Sequence, residues 1–239
     1  MQIPEPQALL KVWERCVHAS PTMRGLLLMG VALPHADRDA LLECSIGHRD
    51  AWLLSLREVF FGAQMDCLVP CRACGQQVEL DFRVSEIRAP HAEPQHVCEV
   101  TVEDATFKFR IPTSADLLAV EGVRDARRAE ELLLLRLRVG PREKVPAMTL
   151  ESEKSVAQAI GDADRQAEVM LEMNCPACGQ QCQELFDIAA HLWCELDNWA
   201  RGLLGKVHVL ACRYGWSEES ILSMGTARRQ AYLALVGAG

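Results

Sequence analysis

The stretch CRACGQQVELDF, Cys71 to Phe82, is written a second time as CPACGQQCQELF, Cys175 to Phe186. The copies keep step: Cys71 and Cys175 are 104 positions apart, and so are Cys74 and Cys178. A Cys-x-x-Cys on a tight turn aims two thiolates at one point. The glycine after the second cysteine relieves the backbone as it reverses into a strand. Two such knuckles supply four sulfurs, a closed tetrahedral shell for Zn²⁺ with no open position for a substrate. A strand-like segment follows each knuckle, and AEVMLEMN, ending at Asn174, runs into the second. The pattern predicts a split zinc ribbon in which Cys71, Cys74, Cys175 and Cys178 hold one structural zinc ion. Closing a loop of about 100 residues costs roughly 4 kcal/mol. Structural zinc contributes on the order of 10–16 kcal/mol, so the metal outweighs the loop.

Other readings of the cysteines stand beside this one. A Cys-x-x-Cys can be a redox pair. Cys67 and Cys182 lie next to the knuckles, so two separate three-sulfur sites are another arrangement, each completed by Cys98 or His191. Of the 11 cysteines, Cys16, Cys44, Cys194 and Cys212 stand singly in helical patterns and read as small core residues. The N-terminal MQIPEPQALLKVWERC lacks a basic start followed by an apolar core, and LLLL at 132–135 is far short of a membrane span. These features predict a cytoplasmic chain, where disulfides are disfavoured. A net charge of −8 works against nucleic acid and anionic membranes.

The chain divides into an N-terminal helical region (1–66), a split ribbon (67–182) carrying an α/β insert (about 98–165), and a C-terminal helical region (183–239). The expected class is α+β, mainly helical. Ser20-Pro21 marks a helix start, Asp37 another, and Gly62 an end. QVELDFRV alternates as a strand through Val84, and CEVTVEDATFKFRI reads as a strand pair turning at Glu103-Asp104. Thr113 or Ser114 caps a helix, Asp125 starts one over about 125–138, and another lies near 151–160. Leu192, Leu196, Trp199, Leu203, Val207, Leu210 and Tyr214 form a single apolar stripe on a long helix between Asp187 and Gly215. Ser217 and Thr226 start two further helices.

The remaining constellations carry little chemistry. His48-Arg-Asp50 matches part of a kinase catalytic loop, but Ser55 stands where the metal-binding Asn belongs, so it reads as a helix start. His208 and Cys212 are one turn apart and read as packing. His91, His96 and Cys98 fall at a loop and are adventitious metal ligands at most. Arg124, Arg127, Arg128, Arg136, Arg138 and Arg142 alternate with Glu130 and Glu131, as on a solvated, salt-bridged surface. No catalytic centre is legible, so no small-molecule substrate is expected.

The order of LLKVWERC, GHRDAWLLSLREVFFG, CRACGQQVEL, RIPTSADLLAV, CPACG and FDIAAHLWCELDNWARGLLGKVHVLACRYGWSEESILSMGTARRQAYLALV resembles the zinc-ribbon proteins of phage-tail-like gene clusters. Those proteins are grouped with the T-even-type phage baseplate hub assembly chaperones and accompany extracellular contractile injection systems. The resemblance implies a non-enzymatic cytoplasmic factor that helps build, or forms part of, a contractile-tail baseplate. Its partners would be baseplate or hub proteins. It implies metal ligation by Cys71, Cys74, Cys175 and Cys178, and an interaction surface near Trp199, Tyr214 and Trp216. Arg72 against Pro176, and the additional Cys67 and Cys182, depart from a simple ribbon. A zinc-ribbon nucleic-acid-binding regulator is the alternative.

Overall fold

The computed structural model describes residues 5–90, 97–102, 105–140 and 149–237, and the chain is mainly helical with three small sheets. Four helices come first: α1 (Pro6–Val17), α2 (Pro21–Ala32), α3 (Arg38–Glu43) and α4 (Ile46–Phe61). Their starts follow side-chain chemistry. Ser20, Asp37 and Ser45 each accept a backbone N–H three residues on. Gly62, at φ +89°, ends α4 in a conformation that favours glycine. Position 47 also requires glycine: a Cβ there would meet Asp164 Oδ1 at 2.0 Å, while its N–H donates to Asp164 Oδ2 at 2.9 Å.

The first antiparallel hairpin is β1 (Gln64–Pro70) with β2 (Gln77–Arg83), followed by the single-turn α5 (Val84–Ile87). Strand β1 begins at Gln64, inside the region 1–66 expected to be mainly helical, while α4 ends at Gly62 as expected. The strand period also stops at Arg83, because Val84 opens α5 and its side chain is fully buried. The second sheet joins β3 (Val97–Val102), β4 (Ala105–Arg110) and the two-residue β5 (Arg138–Val139). The expected turn at Glu103-Asp104 lies outside the described residues, as do His91, His96 and Arg142. Between β4 and β5 run α6 (Ser114–Val120), which Thr113 caps, and α7 (Ala126–Leu137), which Asp125 caps. Helix α8 (Leu150–Ala163) follows, capped by Thr149, and with Cys98, Val100, Phe109 and Leu137 it encloses a small core of its own around Val156.

The second hairpin is β6 (Val169–Asn174) with β7 (Gln181–Phe186). Asp187 then caps α9 (Ile188–Tyr214), which Gly215 ends at φ +70°. Two short helices close the chain, α10 (Glu218–Leu222) and α11 (Thr226–Gly237). Helix α9 organises the molecule. Its Ile188, Leu192 and Leu196 join Leu28, Met29, Leu53, Leu54 and Leu56 in the main core. Further along, Leu203, Val207 and Leu210 pack with Leu10 and Ile221. The regions before residue 67 and after residue 182 therefore share their apolar cores, and both hairpins emerge from that shared body. Among the described residues no helix is long and apolar enough to cross a membrane.

Candidate metal centre

Each knuckle is built by the same two main-chain hydrogen bonds. Cys71 N–H donates to Gln76 O and Gly75 N–H to Cys71 O, both at 2.8 Å. In the second copy Cys175 N–H donates to Gln180 O at 2.9 Å and Gly179 N–H to Cys175 O at 2.8 Å. Gly75 and Gly179 have φ of +75° and +71°, which is why glycine follows both pairs. The equivalence extends well past the quoted dozen residues. Met65 pairs with Phe82 in the first hairpin and Val169 with Phe186 in the second, each shifted by 104. The helices that follow begin at Val84 and Ile188, again equivalent positions and both buried.

The two hairpins meet as twins. Phe82 and Phe186, equivalent residues, contact edge to face at 5.8 Å. Val69, Val78, Met173 and Cys182 form the small apolar core between the hairpins, beside Cys71 and Cys175. The sulfurs pair crosswise: Cys71 Sγ lies 3.8 Å from Cys178 Sγ, and Cys74 Sγ lies 3.7 Å from Cys175 Sγ. All four sulfurs lie within 4.8 Å of one another, close enough to hold a metal ion. A tetrahedron with Zn–S of about 2.3 Å has S–S edges of about 3.8 Å. A disulfide needs about 2.05 Å, so these distances fit shared ligation and not a bond. All eleven cysteines are free thiols.

The electrostatics of the cluster also fit a cation. Hydrogen bonds from the Cys74 and Ala73 backbone lower the Cys71 thiol to about 6. At Cys74 the Gln76 backbone acts in the same direction, but the sulfurs of Cys178, Cys175 and Cys71 outweigh it and push the thiol up to about 12. Crowded negative sulfurs oppose one another's ionisation, and a divalent cation reverses that balance.

The other cysteines occupy different places. Cys182 Sγ sits 3.7 Å from Cys71 Sγ but does not belong to the mutually close four, and it packs where Val78 packs in the first copy. Cys98 is in β3, not a loop, with its thiol directed at Phe109 O. Burial pushes Cys16 and Cys44 up to about 11. Cys194 and Cys212 are exposed on α9, which corrects their assignment to the core, and Cys212 Sγ touches the equally exposed His208 ring at 3.8 Å. Arg49 and Asp50 of the His-Arg-Asp triplet form a buried ion pair inside α4. Trp199 is half-buried between two cores. Tyr214 stacks on Trp216 at 4.5 Å, and Tyr232, absent from the sequence reading, meets Trp216 edge-on at 4.8 Å.

Beside the cluster lies a polar chain that joins Cys67 and His191, considered from the sequence as metal ligands, to Glu195 and Arg57, which sequence reasoning missed. Cys67 Sγ is 3.7 Å from His191 Nδ1, and His191 Nε2 is 3.5 Å from Glu195 Oε2. Glu195 in turn accepts two hydrogen bonds from Arg57, at 2.9 and 2.7 Å. The imidazole contacts its partners from opposite edges, so it links them and does not chelate with them. The i, i+4 spacing of His191 and Glu195 is the sequence signal for its Glu195 end.

Burial alone would lower the His191 pKa, but the Cys67 sulfur and the Glu195 carboxylate outweigh it and lift it to about 9. For Glu195, burial works upward, yet His191 and Arg57 hold it down to about 2. A raised histidine stabilises the fold fully below its unfolded value of about 6.5, and that contribution fades as pH rises through 9. The depressed Glu195 contributes above about 4.5 and loses its contribution as pH falls through 2. Acid also protonates metal-binding thiolates, so the alkaline limb is the cleaner one. The margin in melting temperature of wild type over His191→Gln is expected to shrink between pH 6.5 and 9.5. A constant margin over that range contradicts the assignment.

No protein-family model, curated protein or solved structure matches this chain.

Proposed function

We propose that Cys71, Cys74, Cys175 and Cys178 hold one zinc ion, and that this ion joins the two hairpins into a split zinc ribbon. The observation that carries this reading is the spacing of the four sulfurs, at 3.7 and 3.8 Å across the two knuckles. All-thiolate tetrahedral sites favour zinc over hard cations, and a shell filled by four cysteines is structural. On this reading the protein is a non-enzymatic scaffold whose helical body is presented by a metal-pinned hinge of two hairpins.

The scaffold's role is proposed as that of an assembly factor or structural component in the baseplate of a phage-tail-like contractile injection system. Support comes from the resemblance carried by the α4, knuckle and α9–α11 segments. The aromatic group of Tyr214, Trp216 and Tyr232 at the end of α9 supplies side chains suited to a protein interface. A nucleic-acid-binding regulator has less support, because Arg127, Arg128 and Arg136 are already paired with carboxylates.

The test is elemental analysis of the purified protein, combined with affinity isolation from cells that express the tail-like particle. One equivalent of zinc per chain and co-isolation of baseplate or hub subunits are expected. Absence of zinc removes the ribbon, and isolation without any tail subunit removes the baseplate role.

A further inference from the structure

The two hairpins are twins, but the two grooves that flank their junction are not. Among the described residues each hairpin is a sheet of only two strands, so β2 has β1 on one side and β6 has β7 on one side. The other edges of β2 and β6 wall a groove of about 730 Å³. The 104-residue shift carries part of that lining onto Arg72, Gln181, Cys182 and Gln183, which line a smaller groove of about 360 Å³ between the first knuckle and β7. One pair of positions distinguishes the two grooves in charge. In the smaller groove Arg72 of the first knuckle donates to Glu184 of β7 at 2.8 Å, tying the two hairpins together. In the larger groove the same two positions are Pro176 and Leu80, which leave the mouth open. Two carboxylates, Glu79 and Glu172, line that open groove, and among the described residues no basic one does.

We propose that the groove between β2 and β6 is a docking site for an extended, basic segment of a partner protein, which adds as a strand to one of the open edges. An unpaired strand edge offers a row of main-chain donors and acceptors that only another extended backbone satisfies along its length. The carboxylates select for lysine or arginine on the incoming strand and against an acidic one. Leu80 gives the alternate side chains an apolar contact, since it is only partly buried. The site requires the paired hairpins and is independent of which larger assembly the protein serves.

The probes are two fluorescent seven-residue peptides, one alternating lysine and valine, the other glutamate and valine. Both are titrated against the full-length, metal-loaded protein by anisotropy, with amide chemical shifts recorded on ¹⁵N-labelled protein. The lysine peptide is expected to bind, with shifts concentrated in Gln77–Arg83 and Val169–Asn174. Pro176→Arg combined with Leu80→Glu installs the tie of the closed twin and is expected to abolish binding. Glu79→Lys combined with Glu172→Lys is expected to weaken it roughly tenfold. Metal content is measured on every sample, so collapse of the hairpins is read separately from loss of the groove. No binding by the lysine peptide, equal binding by the glutamate peptide, or undiminished binding in both variants at full metal content overturns the proposal.

Discussion

Cys175→Ser is expected to yield protein without stoichiometric metal and with its hairpins unfolded. The Cys175 thiol is buried and its sulfur lies 3.7 Å from that of Cys74, so in the proposed site a serine hydroxyl would replace a sulfur ligand with a poor one. The core between the hairpins is small, with Val69, Val78, Met173 and Cys182 as its buried residues beside Cys71 and Cys175. Structural zinc contributes on the order of 10–16 kcal/mol, as much as the entire stability of an ordinary domain of about 5–15 kcal/mol. That small core cannot replace it. The helical body does not share this dependence. Leu28, Leu53, Leu56, Leu192 and Leu196 pack together without any contribution from the knuckles. Far-ultraviolet dichroism should therefore retain most of the helical signal, while amide exchange accelerates over residues 65–83 and 169–186. Cys182→Ala supplies the contrast: its sulfur is as close to Cys71 as the ligands are to each other, yet it lies outside the mutually close four. That variant should keep its metal. Wild-type metal content in Cys175→Ser, or loss of metal in Cys182→Ala, is incompatible with the ligand set.

The parts of this architecture that local chemistry determines were legible in the sequence. Ser20, Asp37, Asp125, Asp187 and Ser217 each cap a helix through a side-chain oxygen, and that preference needs no tertiary context. The α9 stripe was legible because one face meets two successive cores over its whole length. The knuckles were legible because two thiols and a positive-φ glycine leave few alternatives. Strand β1 was not. Leu68 sits at an outward position and is 66% exposed, which breaks the alternation that Met65 and Val69 would have signalled. The full extent of the duplication was hidden as well. Met65 and Val169 differ in shape, and only the strand register aligns them; Arg83 and Asp187 differ in charge and align as the residues before α5 and α9. Cys194 and Cys212 were misplaced because a lone cysteine carries no directional signal, and both lie off the buried stripe of Leu192, Leu196, Leu203, Val207 and Leu210.

Least legible of all was Arg57, whose partner Glu195 is 138 residues away. Its side chain is 4% exposed, and it donates to both Glu195 oxygens and to the carbonyls of Gly62 and Gln64. One guanidinium thereby fixes the end of α4, the entry to β1 and the first half of α9. Its fork matches a carboxylate and two carbonyls together, which a lysine ammonium cannot do. Arg57→Met is expected to cost about 3 kcal/mol, because it leaves a carboxylate that is 24% exposed and two carbonyls without their donor. Arg57→Lys should recover only part of that. Arg57→Met combined with Glu195→Met removes the stranded charge as well as its partner, and should be markedly more stable than the sum of the single losses. Urea unfolding of the four variants measures this coupling. In Arg57→Met the protonated His191 is left as the cation facing Glu195, so that variant should lose stability more steeply than wild type as pH rises through 9. Losses below about 1 kcal/mol in the single variants, or strict additivity in the double, would show that this ion pair does not hold the hairpin to the helical body.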